Sequence, residues 1–348
     1  MINISHLVGK HDAQTHKACI DKWLEKHETC PLCRRDAKDP VMGEMKKYPL
    51  DVAAQIRGCR FIVFKGWQNE EYLRHFLEVG ATELIAAALE AHASNPKVVA
   101  ACFAAIFVIA FSSKETQGRL SSLGVCERVV QAMGTHMEDL EVQARGCGAI
   151  YALSLSNKQT QLQLCHAKAP AACLNALHRY MDDPSTALSA ADAFMSMSCD
   201  NKLGQDLLGS GEGAGAELNG KGACELLADL VDRYENDRDV MYAGLDAVMK
   251  LAIDNPENRL RFGAAGMCRK VMDAFEQYQD DEIFLLVRTG EVVKEKGTCN
   301  MHFESILTEG KTKGVGTSPS IMLVSPHPLL LSAPHFRSVS FLDLYLFF

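Results

Sequence analysis

The sequence predicts an all-α, right-handed solenoid built from stacked repeats of about 44 residues. Similar glycine-led segments begin at Gly80 and Gly124, and again at Gly222 and Gly266, with a step of 44 residues inside each pair. Apolar residues recur at spacings of three and four after each glycine, which indicates amphipathic helices rather than strands. Glycine or Asn-Pro pairs separate these segments and predict tight turns. Because one such unit cannot bury its apolar face alone, neighbouring units must stack.

The end of each unit carries the same period across the middle of the chain. The segment "AIYALSLSNK" begins at Ala149, and its relative "AFMSMSCDNK" begins at Ala193, 44 residues later. The next copy, "AVMKLAIDNP", begins at Ala247, which is 54 residues further on. The chain therefore holds about five units with incomplete ends, and one unit contains ten extra residues.

The extra residues fall in "GAGAELNGKGA", which is one residue short of a phosphate-binding loop. Gly215, Gly220 and Lys221 have the spacing of that motif, but the Ser or Thr that would bind magnesium is missing. Such a loop should also follow an apolar strand, whereas this one follows a helical pattern. We expect an extended loop between stacked helices, with nucleotide binding as the alternative.

The composition fits a folded protein of a reducing compartment. The 348 residues are 47% hydrophobic and carry a formal net charge of -8, which argues against a general nucleic-acid or membrane-surface binder. The chain has 13 cysteines and no recognisable signal peptide ahead of them. Most of these cysteines lie in helical stretches, where a free cysteine usually behaves as a small buried apolar residue. We expect a cytoplasmic or nuclear protein.

The repeats resemble armadillo repeats, which have three helices each. The resemblance covers residues 51–297 and implies a concave groove that binds a segment of another protein. One armadillo group binds basic peptides along a ladder of Trp and Asn on the third helix, and this chain lacks that ladder. The Trp positions hold Phe107, Tyr151, Met195 and Met249, and the Asn positions hold Phe111, Leu155, Cys199 and Ile253. We expect these apolar residues to belong to the core.

Near the start, the stretch "HKACIDKWLEKHETCPLCRRD" combines cysteine and histidine at metal-ligand spacing. Its ligand types suit tetrahedral Zn²⁺, and the C-P-L-C turn offers two sulfurs to one ion. The order H-x2-C-x10-C-P-L-C resembles the C-terminal half of a RING finger of the histidine-rich kind. The ligands that match are His16, Cys19, Cys30 and Cys33.

What this resemblance implies is ubiquitin ligation, in which a RING positions a charged ubiquitin-conjugating enzyme beside a protein substrate. By that similarity, Arg34 would hold the conjugated ubiquitin in its reactive pose. The docking surface for the conjugating enzyme would comprise Ile20, Trp23, Pro31 and Leu32. The alternatives are core packing for Trp23 and a plain exposed charge for Arg34.

The stretch departs from the RING pattern because half of the ligands are missing. No cysteine precedes His16, so the first cysteine pair is absent. His11 could replace one upstream ligand, but Ala13 occupies the position of another and cannot bind metal. The four matching ligands could close on one zinc as a Cys3His set, yet in a RING they belong to two sites. We expect that the start is truncated and that the intact parent is a RING and armadillo protein.

The other end differs in character from the repeats. From residue 298 onward the repeat pattern stops, and the stretch 314–336 is apolar. Four prolines interrupt any helix there, which argues against a membrane anchor: Pro319, Pro326, Pro328 and Pro334. We expect an irregular or disordered tail.

The sequence therefore predicts four regions. They are a partial RING-like zinc module at 1–40, a linker at 41–50, armadillo-like repeats at 51–297 and the tail at 298–348. The leading hypothesis is a ubiquitin-protein ligase whose solenoid binds the substrate. The alternative is a non-catalytic armadillo scaffold with an inert zinc segment.

Overall fold

A computed structural model describes residues 40–67 and 69–278 of the chain. Within these ranges the regular structure consists of sixteen α-helices and one short 3-10 turn. The first two helices are α1 Pro40–Lys47 and α2 Val52–Gly66. Four units of three helices follow. The first unit contains α3 Glu70–Glu78, α4 Ala81–Ala91 and α5 Pro96–Ser112, and the second contains α6 Lys114–Ser122, α7 Val125–Thr135 and α8 Leu140–Ser154. The third unit contains α9 Lys158–His166, α10 Ala169–Arg179 and α11 Pro184–Ser198, and the fourth contains α12 Lys202–Ser210, α13 Ala223–Arg233 and α14 Arg238–Ala252. The last described helices are α15 Pro256–Ala264 and α16 Met267–Gln277.

Side-chain caps start the first and third helices of the units, except for α12, where the side chain of Asn201 makes no capping hydrogen bond. The side chain of Asn157 accepts a hydrogen bond from the backbone N–H of Thr160 at the start of α9. Asp139 does the same for Val142 at the start of α8. These caps satisfy backbone donors that a helix leaves without partners in its first turn. The Asn-Pro pair at Asn95 likewise caps α5, with the proline in the first turn.

The predicted glycine punctuation has a backbone cause. Gly80, Gly124 and Gly266 have φ between 71° and 81° and join the first helix of a unit to the second. Lys168 occupies the same position with φ of 70°. A left-handed conformation here turns the chain within two residues, which is why glycine recurs with the repeat period. Gly222, although it belongs to the same sequence series, has an extended backbone.

The ten extra residues explain that exception. α12 ends at Ser210 and α13 begins at Ala223, so residues 211–222 form a long connection with a 3-10 turn at Ala216–Leu218. The left-handed turn falls on Gly211, at the start of this connection. The stretch that approaches a phosphate-binding motif is therefore a loop that follows a helix rather than a strand, as the sequence predicts.

The core runs along the stack of third helices. α5 packs between α2 and α8, and α11 packs between α8 and α14. These helices contribute large side chains with no solvent exposure, among them Phe103, Ile106 and Phe194. The small residues that predict the closing helix of each unit allow the helices to approach closely. The stacked repeats thus share one continuous core.

The structure differs from the sequence prediction at residues 41–50, which the sequence assigns to a linker. Most of α1 lies there, and Met42 and Met45 are 3% and 1% exposed. Met45 packs over Gly58 of α2, where a larger side chain would not fit. Two methionines three residues apart give α1 an apolar face, so this short segment joins the core. The zinc-like stretch and the predicted tail lie outside the described residues.

Candidate protein-binding groove

The third helices are buried almost throughout, and each leaves a few side chains partly exposed on one face. In α5 every residue from Val98 to Ala110 is buried except Phe107. Phe111, one turn later, is also partly exposed. Residues four apart lie on the same face of a helix, so the two form one stripe. The stacked third helices bring such stripes side by side. The helix α2 stacks on α5 in the same way as the third helices stack on one another, and we count it with them. We call the surface formed by the partly exposed side chains of α2, α5, α8, α11 and α14 the groove.

The positions that correspond to the missing Trp and Asn ladder account for much of the groove. The prediction that these residues are core is confirmed for Met249, which is 6% exposed. The other seven are partly exposed: Phe107, Phe111, Tyr151, Leu155, Met195, Cys199 and Ile253. Trp67 occupies the second ladder position at the end of α2 and is also partly exposed. Five of these side chains pack on the core and remain partly exposed on the groove: Trp67, Phe107, Phe111, Tyr151 and Met195.

Four aromatic residues in this row form a continuous aromatic strip, which consists of Trp67, Phe107, Phe111 and Tyr151. The rings of Trp67 and Phe107 are stacked, with centroids 6.0 Å apart and planes 15° apart. Phe107 also contacts Phe111 and Tyr151, at 5.8 Å and 6.3 Å. Phe111 meets Tyr151 edge-on at 5.9 Å. The strip therefore crosses the third helices α2, α5 and α8 without a break.

Beyond the aromatic strip the groove also contains ionisable side chains. Asp192 on α11 and Asp246 on α14 occupy equivalent positions in successive units and are both partly buried. Burial and then the negative charge of Asp246 raise the pKa of Asp192 to about 8. Burial, together with the charges of both aspartates, also raises the pKa of Tyr151 well above its usual value. Tyr242 on α14 completes this group, and its pKa is raised by burial, Asp246 and Asp192.

Three glutamines of the first helices hold the ends of the third helices in place. Each donates its side-chain amide to two carbonyl groups at the end of the third helix in its own unit. Gln117 binds the carbonyls of Ala152 (2.9 Å) and Leu155 (3.1 Å). Gln161 binds the carbonyls of Ser196 (2.8 Å) and Cys199 (3.3 Å). Gln205 binds the carbonyls of Lys250 (2.8 Å) and Ile253 (3.0 Å). The last carbonyl groups of a helix have no partner within it, so these amides replace water there. They also fix the backbone at Leu155, Cys199 and Ile253, which line the groove.

The residues that the sequence assigns to zinc and to a conjugating enzyme lie outside the described part of the chain. They are His11, His16, Cys19, Ile20, Trp23, Cys30, Pro31, Leu32, Cys33 and Arg34. Within residues 40–67 and 69–278, His, Cys, Asp and Glu side chains form no group of three that could hold a metal ion. None of the helices in these ranges combines the length and apolarity needed to cross a membrane.

Sequence reasoning did not single out Trp67, Asp192, Tyr242 or Asp246. A signal for the aspartates was nevertheless present in the repeat alignment. The same position holds Ala104 and Gly148 in earlier units, so a carboxylate there departs from the small residues of the series. Trp67 lies 44 residues before Phe111, which is the repeat period, but it also lies beyond the last residue of α2.

Solved structures of designed and engineered proteins share this fold. A designed armadillo repeat protein in complex with the peptide (KR)4 has 17% sequence identity and a TM-score of 0.56, over 70% of this chain and 95% of that one. A computationally designed armadillo repeat protein for modular peptide recognition has 18% identity and a TM-score of 0.55, over 70% and 94% of the two chains. An engineered protein has 20% identity and a TM-score of 0.59, over 72% and 95%.

At these identities the likeness shows the fold alone. The chain is an all-α solenoid of the armadillo type, as the sequence predicts. No family model matches the sequence, and no curated protein matches it either.

Proposed function

We propose that the chain is an interaction scaffold that binds an extended segment of a partner protein in the groove. The observation that carries this proposal is the row of partly exposed apolar side chains at the same two positions on consecutive third helices. In a protein core both faces of each ring are covered, and on an ordinary surface apolar residues are scattered. This row of residues resembles neither.

The regular spacing of the row favours an extended segment over a compact domain. The helices α5, α8 and α11 each contribute the same two positions, so a chain lying across them meets one pair of side chains on each helix, while α14 contributes only Ile253 because Met249 is buried. The side-chain amides of Gln117, Gln161 and Gln205 fix the backbone at these positions, so less conformational entropy is lost when a segment binds. One designed protein of this fold is named for modular peptide recognition and another is in complex with the peptide (KR)4, and both support a peptide ligand for this fold.

Peptide selection on the full-length chain tests the scaffold proposal. A displayed library of random peptides is selected on the immobilised protein, and the enriched peptides are remade and measured by fluorescence anisotropy. We expect the double substitution Phe107→Ser and Phe111→Ser to weaken their binding by about tenfold or more. The matched control is Leu260→Ser with Met272→Ser, which alters two exposed apolar residues on α15 and α16, outside the groove.

The control double variant should bind the peptides within about twofold of the unchanged chain. Circular dichroism of both variants establishes that they fold. Peptides that bind the folded Phe107→Ser, Phe111→Ser variant as tightly as the unchanged chain would overturn the groove as the binding surface. A library that yields no binding peptide would also count against the scaffold.

We propose as a second function that the N-terminal stretch binds zinc and recruits a ubiquitin-conjugating enzyme, so that the chain acts as a ligase. The resemblance of residues 16–36 to half of a RING supports this idea. Metal analysis of the full chain should find one tightly held zinc that is lost on Cys30→Ser but retained on Cys268→Ser. Autoubiquitination that depends on Trp23 and Cys30 supports the ligase, whereas inactivity with every conjugating enzyme tested leaves the scaffold alone.

A further inference from the structure

Phe64 on α2 is exposed at a position that later units of the solenoid bury. Its side chain is 60% exposed. The residues 44, 88 and 132 positions later are Val108, Ala152 and Ser196, and they are 5%, 0% and 1% exposed. The third helices α5, α8 and α11 therefore bury this position, whereas α2 leaves a large apolar side chain at the surface.

Phe61 on α2 and Tyr72 on α3 show the same difference from later units. Both are partly exposed, and both are larger than the residues that follow them at steps of the repeat. Those residues are at most 3% exposed: Ala105, Ala149 and Ala193 for Phe61, and Thr116, Thr160 and Asn258 for Tyr72. The α2 end of the solenoid thus carries aromatic residues where later units carry smaller ones.

These three aromatic residues form one surface, which we call the end face. Phe61 and Tyr72 both contact the buried ring of Phe76, each with ring centroids 5.9 Å apart. The ammonium group of Lys65 lies over the rings of Phe64 and Tyr72, at 5.1 Å and 5.6 Å from their centroids. Terminal units of solenoids normally present a polar outer face to water, so an aromatic end face indicates that another segment covers it.

In later units the first helix covers the equivalent place. Gln117 on α6 donates to the carbonyl of Ala152 at the end of α8, and Ala152 is the repeat equivalent of Phe64. The helices α6 and α8 pack against each other, as do α9 and α11. The corresponding residues for α2 are 26–34, which precede α3 by 44 positions and contain the C-P-L-C turn.

The course of the chain holds this stretch near the end face. The helices α1 and α2 pack together and are joined by residues 48–51, so they run antiparallel and α1 begins toward the end of α2. Residues 37–39 alone separate the stretch 16–36 from Pro40, the first residue of α1. An extended chain spans at most about 3.6 Å per residue, so residue 36 can be no more than about 14 Å from Pro40.

We propose that residues 16–36 dock on the end face, in the place that the first helix takes in later units. Leu24 is an apolar residue of this stretch that the RING resemblance assigns neither to zinc nor to the conjugating enzyme, so it is available for the aromatic rings. The segment that follows residue 278 leaves the solenoid at the opposite end, beyond α16, and is a poorer candidate.

The docking places the stretch at one end of the groove. Phe64 lies three residues before Trp67, the first residue of the aromatic strip. A partner segment bound in the groove would therefore have residues 16–36 beside its end. The inference depends on neither of the functions proposed above, because neither requires a contact between the stretch and the solenoid.

Photocross-linking of the full chain tests the docking. Benzoylphenylalanine replaces Phe64, and illumination, digestion and mass spectrometry identify the segments joined to it. The matched control places the same residue at Leu260, which is 74% exposed on α15. We expect position 64 to cross-link to residues 16–36 with a yield that does not depend on protein concentration, and the control to give no product with that stretch.

Three cross-linking results would overturn the proposal. One is a product with a second copy of the chain, which would be recognised by a yield that rises with concentration. The others are products of position 64 with residues 279–348 alone and the absence of any product.

Limited proteolysis by trypsin provides a second measurement on natural side chains. Docking should protect the cleavage sites of the stretch, since a protease cuts them only when the segment opens. Phe64→Ser should speed cleavage there by about tenfold or more, and Leu260→Ser should leave the rate unchanged. Circular dichroism establishes that both variants fold, and equal rates in the two folded variants would contradict the docking. The sites are Lys17, Lys22, Lys26, Arg34 and Arg35.

Discussion

Gln161 donates its side-chain amide to the carbonyl oxygen of Ser196 at 2.8 Å, and both residues are almost completely buried. The first belongs to α9 and the second to the end of α11, so the bond closes one repeat from its first helix to its third. Equivalent bonds join Gln117 to Ala152 and Gln205 to Lys250. The recurrence indicates that the glutamine is part of the repeat, although its polar side chain gives no sign of burial in the sequence.

Replacing Gln161 by leucine should therefore destabilise the chain strongly. The carbonyls of Ser196 and Cys199 would lose their donor in a place that water cannot easily enter, which costs about 1–3 kcal/mol for a buried acceptor. The free energy of unfolding in urea measures the effect. Gln131→Leu, at an exposed position of α7, is the control and should change stability by no more than about 0.5 kcal/mol. Equal losses in the two variants would show that the amide does not hold the helix end.

The left-handed turns between the first and second helices predict opposite effects at two equivalent positions. Lys168 has φ of 70°, which is an unfavourable backbone conformation for any residue that has a Cβ atom, and its side chain is exposed. Lys168→Gly should stabilise the chain by about 0.5–1 kcal/mol. Gly124 has φ of 71°, and Gly124→Ala should destabilise the chain by about 1–2 kcal/mol. Thermal unfolding measures both, and a shift of the same sign in the two variants would contradict the backbone argument.

Cys224 and Cys268 occupy equivalent positions at the start of α13 and α16 and should differ greatly in reactivity. Cys224 is buried, and this burial raises the pKa of its thiol to about 12, while Cys268 is exposed. Only the thiolate reacts, so iodoacetamide at pH 8 should label Cys268 at least about a hundredfold faster than Cys224. Mass spectrometry of the digested protein gives both rates. Denaturation in urea should remove the difference, and similar rates in the native chain would contradict the burial of Cys224.

The period of the repeat predicts most of the fold because one physical requirement recurs in each unit. A glycine is needed where the chain turns with positive φ, as at Gly80, and apolar residues are needed where helices stack. Even the ten extra residues could be placed correctly from the break in the period before Ala247. The burial of Met42 and Met45 could not be predicted, since α1 belongs to no repeat and its packing depends on the shape of α2.

The groove was harder to predict than the fold because the residue type alone does not distinguish an apolar residue of the core from one on a binding surface. Phe107 and Ile106 are neighbours in α5, yet one faces the groove and the other is fully buried. Which side of the helix is left uncovered depends on how the neighbouring helices pack against it. The interaction between Asp192 and Asp246 depends further on two helices whose equivalent residues are 54 positions apart.

The shifted pKa of Asp192 predicts how stability depends on pH. An aspartate in the unfolded chain has a pKa of about 3.9, whereas burial and Asp246 raise the folded value to about 8. Between these two values the folded chain holds a proton that the unfolded chain has released, so the free energy of unfolding falls as pH rises. The slope from this one group is at most about 1.4 kcal/mol per pH unit, and the effect levels off above the folded pKa.

Asn cannot ionise, so Asp192→Asn should remove this contribution. The variant should gain stability over the unchanged chain progressively as pH rises from 4.5 to 8, and the gap should be smallest at the acidic end, where the pH is closest to the pKa of the unfolded state. Urea unfolding at several pH values measures the gap, with Glu115→Gln as the exposed control. A gap that is constant with pH would show that Asp192 titrates in the folded chain as it does in the unfolded chain.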